Sequence, residues 1–159
     1  NRIQFKGAKE FDGNSNFTFE PQNSTATLKG TFRSLALHVS KKIQSNGDLE
    51  INGALYKNVK VTSDVNYDFQ DTDNTVLFDT TDANIVATLP PAKKNPGRVI
   101  TVKKICENKY KLISSYHLKI KSDGGKIDFS SEITLKSNYS VRTFHSDGSS
   151  WWVINKSGT

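Results

Sequence analysis

Apolar residues recur at every second position along this chain, in short runs broken by turn dipeptides. Side chains alternate faces in a strand, so this period marks half-buried β-strands, and almost nothing follows the helical period. Asp12-Gly13, Asn46-Gly47, Asn52-Gly53, Asp123-Gly124-Gly125 and Asp147-Gly148 supply tight turns. Such pairs tolerate the positive φ that short hairpin loops require. The chain is therefore expected to be all-β. Strands are predicted at 65–70, 75–79, 84–89, 98–105, 110–114, 117–121, 126–129, 132–136, 139–145 and 150–155. About ten strands in about ninety residues is the spacing of a β-sandwich or barrel. The segment "LPPAKKNPGR" cannot be a central strand, because proline removes ladder donors, and it is expected to be a crossing loop.

The first sixty residues have a different texture. They are rich in Asn, Ser, Thr and Gly, and their predicted strands are very short: "FTFE", "ATLKG", "LALHV" and "DLEING". Each offers one or two core-worthy side chains per face. A ribbon of this kind has little core of its own and is stabilised when several copies wrap together, usually by symmetric association. Composition agrees. Hydrophobic residues make up 35% of the 159 positions. Even with glycine added, this falls short of the about 45–50% of an average globular domain. A thin core implies an elongated shape or subunits that complete each other. The chain has no Met, even at its start, so it is expected to begin inside a longer protein. No apolar run approaches the length needed to cross a bilayer, so no membrane insertion is expected.

The net charge of +6 raises the question of nucleic acid. Its placement argues against that partner. In "HLKIKSDGGKIDF", Leu118 and Ile120 share one face while Lys119 and Lys121 share the other. That is a half-buried strand with a solvated lysine face. No helix carries a basic stripe and no nucleic-acid motif is present. A mildly basic surface does suit anionic glycans or cell surfaces.

Candidate chemistry is sparse. Cys106 is single, so no intrachain disulfide is possible, and its place at the end of an apolar run suits a small buried residue. His38, His117 and His145 lie in or at the start of strand patterns without metal-ligand spacing, and no Gly-x-Ser-x-Gly elbow occurs. The acidic stretch with Asp68, Asp71, Asp73, Asp79 and Asp82 lacks the glycine and closing glutamate of a calcium loop, so a solvated turn is expected. Sequons at Asn16, Asn23, Asn138 and Asn155 arise readily in so Asn/Ser/Thr-rich a chain and do not establish secretion. No phosphate-binding loop precedes a helix. The chain is expected to be neither an enzyme nor a holder of any cofactor or metal.

Several of these pieces fall in a recognisable order. "TLPPAKKNPGRVITVKKI", then "GGKIDF", then "EITLKSNYSVRTFHSDGSSWWVIN" resembles the C-terminal head domain of phage tail fibres and of fibres of other DNA viruses. The matching elements are Thr88-Leu89-Pro90, Gly97-Arg98, Ile100 to Lys104, Gly125 to Asp128, and Ser146 to Ile154. The resemblance covers roughly 61–155, and "GDLEINGALYKNVK" resembles the shaft repeats that lead into such heads. The chain departs from the family after "KKI", where Cys106 and "ENKYKL" replace a small polar turn. The resemblance implies a homotrimer at the virion surface. Residues 1–60 would form a short-stranded intertwined shaft, and 61–159 a β-sandwich, jelly-roll-like head that attaches to a host-cell receptor, expected to be a glycan. A monomeric carbohydrate-binding module of a secreted hydrolase, and a capsid decoration without a receptor role, stand as alternatives.

Both tryptophans stand together near the end, in "SDGSSWWVIN". Adjacent strand residues face opposite ways. Trp151 matches the family's tryptophan and is assigned to the subunit core. Trp152 then points outward, against a neighbouring subunit, onto a sugar, or under a loop. Receptor-binding candidates are Tyr110, Tyr116 and Trp152, with the loops at 108–110 and 122–125, because strands are committed to pairing.

Overall fold

The computed structural model describes residues 17–20, 25–28, 43, 46–106 and 115–158. The chain divides into two compact units, 1–50 and 51–159. In the first, β1 (Phe17–Glu20) and β2 (Thr25–Leu28) form an antiparallel pair with Phe17 opposite Leu28. These are the strands expected in "FTFE" and "ATLKG". The expected strand "LALHV" lies outside the described residues. "DLEING" is not a strand: residues 46–58 run exposed, with bends at Asn46-Gly47 and Asn52-Gly53. Leu49, Ile51 and Leu55 find no cover among the described residues and stay 69%, 48% and 62% exposed.

Among its described residues the second unit holds nine strands: β3 (Val59–Thr62), β4 (Asn66–Asp68), β5 (Thr75–Asp79), β6 (Ile85–Leu89), β7 (Val99–Ile105), β8 (Leu118–Ser122), β9 (Glu132–Leu135), β10 (Val141–Ser146) and β11 (Trp151–Ser157). They form a five-stranded sheet, β11-β10-β7-β5-β3, and a four-stranded sheet, β4-β6-β8-β9. The chain is thus all-β with two mixed sheets, in keeping with a β-sandwich.

The pairing is not that of a jelly roll, whose Greek keys are antiparallel. From β3 to β8 the chain alternates between the sheets. Parallel strands need a long crossover, and here each crossover is itself a strand of the opposite sheet. Hence β3, β5 and β7 lie parallel, as do β4, β6 and β8. Only the last third reverses, through antiparallel β8–β9, β7–β10 and β10–β11.

Two expected elements change. β3, in "VKVT", was not foreseen as a strand; it spans the change of texture near position 60 and pairs with β5 from Val59–Thr75 to Thr62–Phe78. "KIDF" is not a strand. Only Ile127 makes isolated bridges, to Ser130 and Trp151, because Asp128 and Phe129 adopt left-handed φ of 46° and 67° that a strand cannot hold. The predicted strand at 110–114 lies outside the described residues.

The core fills the space between the sheets. Val76, Phe78, Ile100, Val102, Phe144 and Trp151 point in from one sheet; Tyr67, Ile85, Ala87, Leu89, Leu118, Ile120 and Leu135 from the other. Each large apolar side chain so buried contributes about 1.5–3 kcal/mol. Tyr67, Phe69 and Phe78 meet edge to face at centroid distances of 5.4, 5.3 and 5.9 Å. Tyr67 keeps its hydroxyl in this core by donating to Asp73 Oδ2 at 2.6 Å, and burial together with that acceptor pushes its pKa up. Asp73, in the acidic stretch, is itself buried and also accepts the Gln70 N–H. Cys106 is buried, as its apolar surroundings in sequence suggested, and accepts a hydrogen bond from Thr81 Oγ1. The proline-rich segment is a crossing loop with one turn of 3₁₀ helix, Ala92–Lys94.

Candidate functional site

Two features of the 51–159 unit are not explained by its own folding. The first is an asymmetry between the outer sheet faces. Along the five-stranded sheet, one outward row runs Val59, Thr75, Thr101, Thr143, Asn155, and the next runs Val61, Leu77, Lys103, Val141, Ser157. A further row holds Val99, His145 and Trp152. A last row pairs Asp79 with Ile105. This face is made mostly of Val, Leu and Thr, with Lys103, Asp79 and His145 as its titratable residues. Its strands shield one another, so most of these residues are half-buried, while Val59 and Val61 at the edge are 59% and 54% exposed. The outward rows of the four-stranded sheet read Asn66, Val86, Lys119, Thr134 and Asp68, Thr88, Lys121, Glu132. Here charges alternate, and Lys119 pairs with Glu132 at 2.9 Å.

The second feature is an aromatic corner at the β10–β11 turn. Asp147 organises that turn: its Oδ1 accepts the N–H groups of Ser149 and Ser150, both at 2.7 Å. Gly148 takes the left-handed conformation there, at φ 88°. The chain then enters β11 with its two tryptophans on opposite faces, as the alternation predicted. Trp151 is fully buried and donates its indole N–H to the Pro90 carbonyl at 2.9 Å. Trp152 faces out, and its indole N–H donates to Asp147 Oδ2 at 2.7 Å. These bonds, the Ser150 N–H first, hold the Asp147 carboxyl below the ordinary carboxylate range.

Phe129 completes the corner. Ile127 and Ser130 exchange backbone hydrogen bonds of 2.9 and 2.8 Å across a two-residue turn. Positive φ at both central positions is the requirement of a type I′ turn, which favours Asn-Gly. Here the pair is Asp128-Phe129. Asp128 Oδ1 accepts the Val153 N–H at 3.0 Å, which ties the turn to β11. Phe129 is left 76% exposed, its ring 5.2 Å from that of Trp152 and inclined at 81°. Beside Trp152 lies a shallow depression of about 440 Å³, walled by Gly97, His145, Asp147 and Ile154.

Of the residues singled out from sequence, Trp152 stands in this corner. Tyr116 is half-buried and precedes β8. Tyr110 lies outside the described residues. The 122–125 loop follows β8, so it and Tyr116 sit at opposite ends of that strand, roughly 16 Å apart along it. The loop instead meets the β10–β11 turn: Gly125, at φ 89°, brings its Cα so close to the Ser149 carbonyl that a Cβ would lie 2.7 Å from the oxygen. Phe129 escaped the sequence reading because "KIDF" alternates like a strand. The one local signal was Asp128, a residue type that tolerates the left-handed region.

No protein family matches this chain, and no curated protein is similar to it.

Proposed function

We propose that this chain is the tip of a trimeric viral fibre or spike, displayed at the virion surface and attaching the particle to a host cell, with a structural and adhesive role and no catalysis. The observation that carries the proposal is the Val-, Leu- and Thr-rich outer face of the five-stranded sheet, where one lysine is balanced by one aspartate, on a chain of net charge +6. Copies of a cationic chain repel one another except where their charge is balanced. A Val/Thr face is where they meet at least cost, and burying it supplies the driving force. The number three rests on the resemblance of residues 61–155 to fibre heads, as does the assignment of 1–60 to a shaft and 61–159 to a head. The receptor in this reading is a glycan, met weakly by each subunit and held by three linked sites and several fibres per particle.

A second reading, a monomeric carbohydrate-binding module, is favoured by the exposed Phe129–Trp152 corner, which needs no partner subunit. Oligomeric state separates the two. The adhesive role is tested by adsorption: folded trimer should coat susceptible cells and compete with the parent particle, and a forced monomer should lose that adhesion. Correctly folded trimer that neither sticks nor competes would leave a purely structural decoration as the better account.

A further inference from the structure

We infer that Phe129 and Trp152 form a binding corner for a neutral pyranose sugar, with Asp147 and Asp128 accepting hydrogen bonds from its hydroxyls. This inference rests on the adhesive part of the proposed function; the corner stands at the end row of the sheet face, Val99, His145 and Trp152, so subunits would meet through the other rows, from Val59 to Asn155 and from Val61 to Ser157.

Folding alone does not account for the corner. A phenylalanine in the left-handed region is strained, and a glycine would make the same turn without strain. Phe129 also exposes most of its ring. The chain therefore holds an apolar ring in water on a strained backbone, a combination that costs stability and is found where strain serves a site. Trp152 is fixed just as firmly. Its indole N–H is committed to Asp147 Oδ2, and Asp147 is anchored by two backbone N–H groups. Both rings are thus pre-set before any ligand arrives, which lowers the ordering cost of binding.

The shape and chemistry match one ligand class. Two rings at 81° with centroids 5.2 Å apart form an L-shaped corner rather than a slot. A pyranose presents an apolar C–H face on one side and hydroxyls around its rim. The electron-rich faces of aromatic rings attract those C–H groups. Acceptors for the rim are at hand. Asp147 Oδ2 accepts one hydrogen bond and has capacity for another. Asp128 is exposed and uses Oδ1 for Val153, so its carboxylate retains acceptor capacity. Two carboxylates disfavour an anionic sugar at this spot, whatever the charge elsewhere. The depression beside Trp152, about 440 Å³, lies within the about 300–1,000 Å³ of small-molecule sites and offers room for a second sugar unit against His145 and Ile154.

The test is titration of the full chain with methyl β-glucoside, methyl β-galactoside and methyl α-mannoside, with sialyllactose as the anionic comparison, following the Trp152 indole N–H by NMR. At least one neutral hexoside should give a saturable shift with Kd on the order of millimolar, and sialyllactose should contact the corner only through its two neutral hexoses. Phe129→Gly should weaken that binding about tenfold while preserving or raising the unfolding temperature, a pairing that a merely structural Phe129 would not give. Trp152→Ala should abolish the binding. No shift with any neutral hexoside, binding unchanged in Phe129→Gly, or a saturable shift confined to residues around Tyr116 would each overturn the inference. A monomer that binds sugar would overturn the trimer and leave the corner standing; a trimer blind to sugar would do the reverse.

Discussion

The two outer sheet faces of the 51–159 unit are written by the same alternation and put to opposite use. β8 turns Leu118 and Ile120 inward and Lys119 and Lys121 outward, the ordinary pattern of a strand with one wet face. β5 and β7 turn Val76, Phe78, Ile100 and Val102 inward, yet outward they place Thr75, Leu77, Val99, Thr101 and Ile105, with one charge each, Asp79 and Lys103. A strand that is apolar on one side and charged on the other needs only its own domain and water. A strand that is apolar or β-branched on both sides is suited to contacts on both. The proposal of self-association rests on that difference, and it is open to attack at several points.

The largest expected effect removes the support common to both faces. Trp151→Ala empties the largest fully buried side chain and orphans its bond to Pro90. It should cost about 3–5 kcal/mol in denaturant unfolding. A silent substitution would mean that the two tryptophans face the other way.

Next comes a matched pair of charges, one on each face. Thr101→Glu places a carboxylate at the centre of the Val/Thr face, between Thr75 and Thr143. It should leave a folded subunit but weaken association at least about a hundredfold, roughly 3 kcal/mol. Thr134→Glu on the other face, next to Lys119, should change neither fold nor mass in sedimentation. Equal effects from both would erase the distinction between the faces.

A smaller loss, about 1–3 kcal/mol, is expected for Tyr67→Phe, which strips one of the two hydrogen bonds from buried Asp73. It acts on the inner face of the four-stranded sheet, so stability should fall while subunit mass is unchanged.

Lys104 sharpens the comparison from inside. It is fully buried on the inner face of β7, donating to Asn138 Oδ1, and burial holds its pKa below the ordinary lysine value, with nearby Cys106 opposing that shift. Between its folded and unfolded pKa the unfolded chain binds more protons. The penalty for the buried charge is thus full below the folded pKa, and stability should rise as pH climbs through it toward about 10.4. Urea midpoints over that alkaline range should show the rise, and Lys104→Met should flatten it. The smallest effect belongs to the wet face: Glu132→Gln breaks an exposed ion pair and should cost under about 1 kcal/mol.

Much of this molecule was legible in its sequence, and the physical reason is that period-two alternation reports facing directly. β5 was placed at its observed ends, β6 to β11 within a few residues, and the burial of Trp151 against the outward Trp152 followed from adjacency alone. Alternation says nothing of which strand lies beside which. The parallel winding of β3 to β8 is set by crossovers through the opposite sheet, which strand spacing does not report and which the jelly-roll-like head implied by the fibre resemblance does not contain. Alternation also fails where a turn imitates a strand, as at Asp128-Phe129, and there it concealed half of the aromatic corner. Phe129 differs from a strand residue only in its backbone angle, which composition does not reveal.

The central claim is that copies of this chain meet through the Val- and Thr-rich face of the five-stranded sheet. Light scattering on the purified protein at micromolar concentration tests it most directly. The account predicts a particle of about three times the 17.7 kDa chain mass, reduced to a folded single chain by Thr101→Glu. A stable, soluble particle of one chain mass in the unaltered protein would contradict it.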